Sequence, residues 1–195
     1  MNTKTLLLSA AVVGFGASPT LLRAQDVKVQ PRASNLTTAA PIAKKSPMNS
    51  TSLRTEDGYA RIVYSQPMLR GRQMLGEEVA YGQVWRLGAN EATELFLTEE
   101  LEIAEAELPA GAYAVFAIPS AESWTLIFNR GLGEWGAYNY DESLDVARVT
   151  LPVQTGDEAY EAFTIYFEDV PDSDEDKLVM AWGGNRVEAT VEFDD

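Results

Sequence analysis

From Tyr59 to Phe193 apolar residues recur at alternate positions in short runs separated by turn residues, and no stretch carries the rhythm of a long amphipathic helix. Such alternation turns one face of an extended chain to a core and the other to water, which commits the chain to antiparallel sheet. Phe163, Ile165, Phe167 and Val187, Ala189, Val191 show it most cleanly. The remaining runs are Tyr59 to Tyr64, Thr93 to Thr98, Leu101 to Ala104, Ala112 to Ile118, Trp124 to Phe128, Val146 to Val153 and Leu178 to Trp182. About nine or ten short strands with no βαβ rhythm predict an all-β domain, an antiparallel β-sandwich with a barrel-like closure as the alternative. Glu99-Glu100 is compatible with a tight hairpin joining the runs on either side of it.

Three segments are expected. Residues 1 to 24 carry Lys4, an apolar run from Leu6 to Gly16 and a small residue at Ala24, the layout of a signal peptide. That run falls short of the roughly 20 residues a membrane span needs, so the chain is expected in the periplasm or secreted, with no membrane insertion. Residues 25 to 53, with Pro31, Pro41 and Pro47 and no sustained apolar period, read as a flexible linker. Residues 54 to 195 are long enough to bury a core of their own.

The chain contains neither His nor Cys, which removes His-based metal sites, Ser-His-Asp and Cys-His catalysis and any disulfide framework. Thirty acidic against 15 basic residues give a net charge of −15, a surface that repels nucleic acids and anionic membranes. No cofactor is implied. The alternate carboxylates of Asp172, Asp174 and Asp176 resemble the opening of a calcium loop, but Lys177 and Gly183 stand where its Gly and bidentate Glu belong. A solvated acidic turn with at most weak calcium binding is the expectation, and no metal site is assigned.

Two clusters hold the side chains able to build a site. The first surrounds Trp85, where Asn90 and Glu91 offer an amide and a carboxylate beside an indole, a set suited to sugar hydroxyls and a ring face. The competing reading is structural: Glu91 pairs with Arg86 or Arg72 in a partly buried network, to which Arg148 and Asp141 are further candidates. In an acidic domain arginines usually hold carboxylates together before they capture an anionic ligand. The second cluster interleaves Trp135, Tyr138 and Tyr140 with Gly, Asn, Asp141 and Glu142, either a binding platform or a lid over the core. If both clusters share one end of the sandwich, binding gains. A carboxylate pair, Glu91 with Asp141 or Glu142, is the remaining catalytic option, acting as in glycoside hydrolases.

The run YGQVWRLGANEAT (Tyr81 to Thr93), preceded by YSQPMLRGR (Tyr64 to Arg72), resembles the signature of the DUF2911 family of exported bacterial proteins of unknown function. LPAGAYAVFAIP, WTLIFN, WGAYNYDESLDVARV and FTIYF follow in the family's order, so the likeness covers essentially all of residues 54 to 195. Ala80 stands where the family usually has Pro. The resemblance implies a secreted β-rich domain and supplies no reaction. The expected function is a non-catalytic module that binds a glycan or peptide or associates with the envelope. A carboxylate-dependent glycoside hydrolase and a purely structural or protein-interaction domain are the alternatives.

Overall fold

The computed structural model describes residues 44 to 193, except Asp172 and Asp174 and the side chain of Asp157. The expected signal peptide and most of the expected linker therefore lie outside the described residues. Ten strands form two antiparallel sheets. The larger holds β1 (Met48–Arg54), β2 (Tyr59–Ser65), β3 (Thr93–Leu97), β6 (Gly111–Pro119), β7 (Ser123–Asn129) and β8 (Asp145–Pro152), in the order β1-β2-β3-β6-β7-β8. The smaller, in the order β5-β4-β10-β9, holds β4 (Leu101–Ile103), β5 (Ala106–Leu108), β9 (Gln154–Glu168) and β10 (Asp176–Phe193). This is the antiparallel sandwich that the alternation predicts.

The core lies between the sheets. Leu95, Leu97, Leu126 and Phe128 face Phe163, Ile165, Met180 and Val191, all buried. β6 and β7 are covered on their other face too, where Phe116, Ile127, Ala114 and Ala92 form a second cluster under Val84, Ala137 and Tyr140. Two buried faces explain why AYAVFAI is an unbroken apolar run while β9 alternates. Burying a Phe or an Ile stabilises by about 1.5–3 kcal/mol, enough for Phe116 and Ile127 to hold down the loop that covers them.

Three expectations are corrected. Residues 48 to 53, expected in the linker, form with Arg54 a strand paired residue for residue with β2. β1 escapes a search for alternation because it is an outer strand with mostly exposed side chains, in which Asn, Ser and Thr stand where a buried strand carries apolar groups. The runs on either side of Glu99-Glu100 are not a hairpin: β3 and β4 belong to different sheets, and the two acids mark the crossing between layers. The last two runs are one strand, β10, in which Gly183, at φ +59°, carries an irregularity in the pairing with β9 rather than a turn.

A chain beginning at Arg54 loses β1 and leaves β2 as an open edge. It should be less stable by at least about 3 kcal/mol, since several backbone hydrogen bonds at ~1 kcal/mol each disappear. It should also self-associate. Urea midpoints and sedimentation velocity check this; an unchanged, monomeric protein would mean β1 is not integral.

Candidate functional site

The connection from β2 to β3, residues 66 to 92, is the long one, and it carries the first cluster. It is built into the sheet at one point: Trp85 N donates to Ala117 O at 2.7 Å and Ala117 N to Trp85 O at 2.8 Å. Beyond the end of β3, Trp85 thus takes the place beside β6 that a longer β3 would hold. Its side chain is 6 % exposed and sits among Trp124, Phe163 and Trp182, with ring centroids 5.1–5.7 Å away. Its Nε1 donates to Gly88 O. Trp85 is a core anchor, not an open platform.

After Trp85 the chain coils tightly. Leu87 and Asn90 have φ of 49° and 60°, and Thr93 ties the turn through Thr93 N to Arg86 O and Thr93 Oγ1 to Leu87 O. At Gly88 a Cβ would stand 2.9 Å from the Ser65 carbonyl oxygen, so only glycine allows this approach. The Asn90 amide donates to Ser46 O and Ser65 Oγ and is used up structurally. Among the described residues, none of the five ion pairs includes Arg72, Arg86 or Glu91. Arg86 Nε and Glu91 Oε2 are both buried without a hydrogen-bond partner. The expected Arg–Glu91 clamp does not form, because two left-handed residues between Arg86 and Glu91 redirect the side chains in a way that spacing does not reveal.

The second cluster does lie against the first. Ala92 N donates to Glu134 O and Gly136 N to Asn90 O, with Glu91 and Trp135 bridged between them. The loop is anchored by buried Asn129, whose amide reaches Asp141 O and Asp145 Oδ1 and whose Oδ1 accepts from Gly131 N. Tyr140 is a lid, its ring edge-on to Phe116 and its hydroxyl donating to Asp145 Oδ2 at 2.7 Å while accepting from Arg148. Burial, together with the hydrogen bond to Asp145, pushes the Tyr140 phenol up to about 12. Arg148 pairs with Asp145 and Glu142 rather than Asp141. The exposed Asp141 carboxyl instead caps the 3-10 turn Glu142–Leu144, where hydrogen bonds from Ser143 hold it below the usual carboxylate range. Trp135 and Tyr138 remain exposed, at 59 % and 84 %.

A cleft of about 500 Å³, within the ~300–1,000 Å³ range of small-molecule sites, opens along the β2–β3 connection and is touched by the second cluster at Ala137. Its walls include Arg72, Glu78, Gln83, Arg86, Ala137 and the offset-stacked Trp85–Trp182 pair. Trp182 is 1 % exposed and its Nε1 has no acceptor. A Cβ at Gly136 would stand 2.9 Å from the Tyr138 ring and 3.7 Å from Arg86 Nη1, so the exposed ring and the guanidinium flank one point beside the cleft wall at Ala137. Glu78, Gln83 and Trp182 were not among the expected site residues, since Glu78 looks like any surface acid and Trp182 like any core aromatic. Gln83 alone stood within the signature stretch. Of the expected ligand-binding residues Trp85 lines the cleft, whereas Asn90, Glu91, Trp135, Tyr138 and Tyr140 do not, and neither does Asp141.

No group of His, Cys, Asp or Glu able to hold a metal occurs among the described residues. Asp172 and Asp174 lie outside them. Asp176 opens β10, and burial and Asp169 raise its carboxyl above the ordinary value. No helix among the described residues is long and apolar enough to cross a membrane.

The family model described as "Protein of unknown function (DUF2911)" matches residues 46–191. No curated protein and no solved structure matches the chain.

Asn129→Ala should cost roughly 2–3 kcal/mol, because it leaves buried groups of the loop without partners. It should also free Trp135, read as a red-shifted, more readily acrylamide-quenched emission before global unfolding. A stability within about 0.5 kcal/mol of the parent would deny that Asn129 anchors the loop.

Proposed function

Since the chain belongs to the DUF2911 family, whose description assigns no activity, we propose from the geometry that this domain is an exported, non-catalytic module that binds a glycan in the cleft lined by residues of the 72–89 stretch, Ala137 and Trp182. The observation that carries the reading is the exposed Tyr138 ring beside a cleft that also offers Gln83, Glu78 and Arg86 as hydrogen-bonding groups. Planar faces cover the apolar side of a sugar ring, and fixed polar groups select its hydroxyls. Trp135 on the same loop is a second exposed aromatic side chain. Export rests on the leader-like layout of residues 1 to 24.

The hydrolase alternative draws less support. Among the described residues Glu78 is the one carboxylate that lines the cleft, while hydrolysis by a pair needs two, about 5–5.5 Å apart for retention or ~6.5–9.5 Å for inversion. Peptide binding by strand addition would have to use a sheet edge, which the cleft is not.

Titrating the protein with soluble oligosaccharides should quench or shift Trp135 emission saturably. Tyr138→Ala should weaken binding about tenfold, ~1.4 kcal/mol, with no change in melting temperature because its ring is nearly free of the fold. Saturable binding that Tyr138→Ala leaves intact would move the ligand elsewhere. No binding across neutral and acidic oligosaccharides would remove the reading.

A further inference from the structure

Resting on that glycan-binding reading, we infer that the ligand is an acidic saccharide whose carboxylate is received by Arg72 and Arg86. The argument begins with charge. The chain carries twice as many acidic as basic residues, yet of the eight described arginines two form ion pairs with carboxylates. Arg148 and Arg186 do so, each with two. Among the six described arginines without an ion pair, Arg72 and Arg86 are the two that line the cleft. Arg72 donates Nε to Leu69 O and Nη2 to Met68 O, bonds that fix the guanidinium without neutralising it. Arg86 has a buried Nε with no acceptor, although its own stretch contains Glu91. Arg70 beside them likewise spends Nη2 on a carbonyl, that of Lys45, and these two line a smaller hollow with Arg72.

An unpaired buried guanidinium donor is costly, and its persistence calls for an acceptor supplied from outside the chain. A planar fork favours an oxyanion that takes two parallel hydrogen bonds. The other walls discriminate among oxyanions. Glu78 and the net charge of −15 oppose a dianionic phosphate more than a singly charged carboxylate. Glu78 and Gln83 accept from hydroxyls, and the Tyr138 ring lies beside Arg86, so a carboxylate carried on a sugar ring meets both kinds of group at once.

The test is isothermal titration of the mature protein with tri-uronates of the gluco, galacto and mannuro series, each beside its methyl ester, and with a free tripeptide. The ester keeps the rings and removes the charge. At least one uronate should bind ten or more times tighter than its ester, and both Arg86→Gln and Arg72→Gln should reduce that ratio to near one while ester binding survives. The exposed Arg72 gives a variant whose fold is not at risk if Arg86→Gln lowers stability. Equal affinity for acid and ester would overturn the carboxylate assignment and leave glycan binding standing. Preference for the tripeptide carboxylate would overturn the saccharide. Absence of binding to every acid and ester would overturn both this inference and the reading it rests on.

Discussion

The structure depends on one insertion. Trp85 exchanges two backbone hydrogen bonds with Ala117 while its indole enters the centre of the aromatic core between Trp124, Phe163 and Trp182. Each such aromatic contact adds about 0.5–1.5 kcal/mol beyond simple burial, and the backbone pair saves two groups from being stranded at the end of β3. A connection as long as that from β2 to β3 would otherwise be the most mobile part of a small sandwich. Anchored at its middle, it becomes a wall. The same link also carries Pro67 and Leu69 against β9, where Phe163 N donates to Pro67 O and Leu69 N to Glu161 O, so one loop ties the two sheets together.

What the anchor positions follows from it. With Trp85 fixed, Arg86 leaves the core on the side of residues 136 to 138, and Gly88 packs against the Ser65 carbonyl, leaving room for no side chain. The second loop then docks on residues 90 to 92 and over Phe116 and Ile127, held from behind by Asn129. The β2–β3 connection, braced by the core rather than by charge pairs, lines a cleft in which Arg72 and Arg86 form no ion pair among the described residues. Electrostatic preorganisation of that kind favours a ligand, since the ordering cost has already been met by folding. The outer face of the smaller sheet is organised differently. There Arg186 bridges Glu168 and Glu188, also donates to Tyr166, and shares Glu188 with Lys177, a charge-compensated network in which each Arg186 nitrogen has an acceptor.

The sequence was legible where a strand has one wet and one dry face. β2, β9 beyond Phe163 and the last part of β10 could be read from alternation, and the doubly buried β6 from its unbroken apolar run. β1 was not, because an outer strand needs no apolar residues, and β5 is too short to show a period. Gly183-Gly184 looks the same whether the chain turns or only shifts register. At the site, the stretch around Trp85 is recognisable from its density of aromatic and polar groups. The direction of each side chain was not legible. Whether Arg86 meets Glu91 depends on the left-handed backbone at Leu87 and Asn90, a choice that non-glycine residues rarely make and that spacing does not encode. Trp182 and Glu78 reach the cleft only through the tertiary fold.

The central claim is that the cleft loop is part of the core. Native-state hydrogen exchange at the amides of Trp85 and Ala117 measures it directly. Both should exchange only through global unfolding, with protection matching that of Phe128 and Met180 in the sheets and falling with denaturant at the same slope. Exchange of the Trp85 amide through a local opening, fast and insensitive to denaturant while the sheets stay protected, would contradict the account.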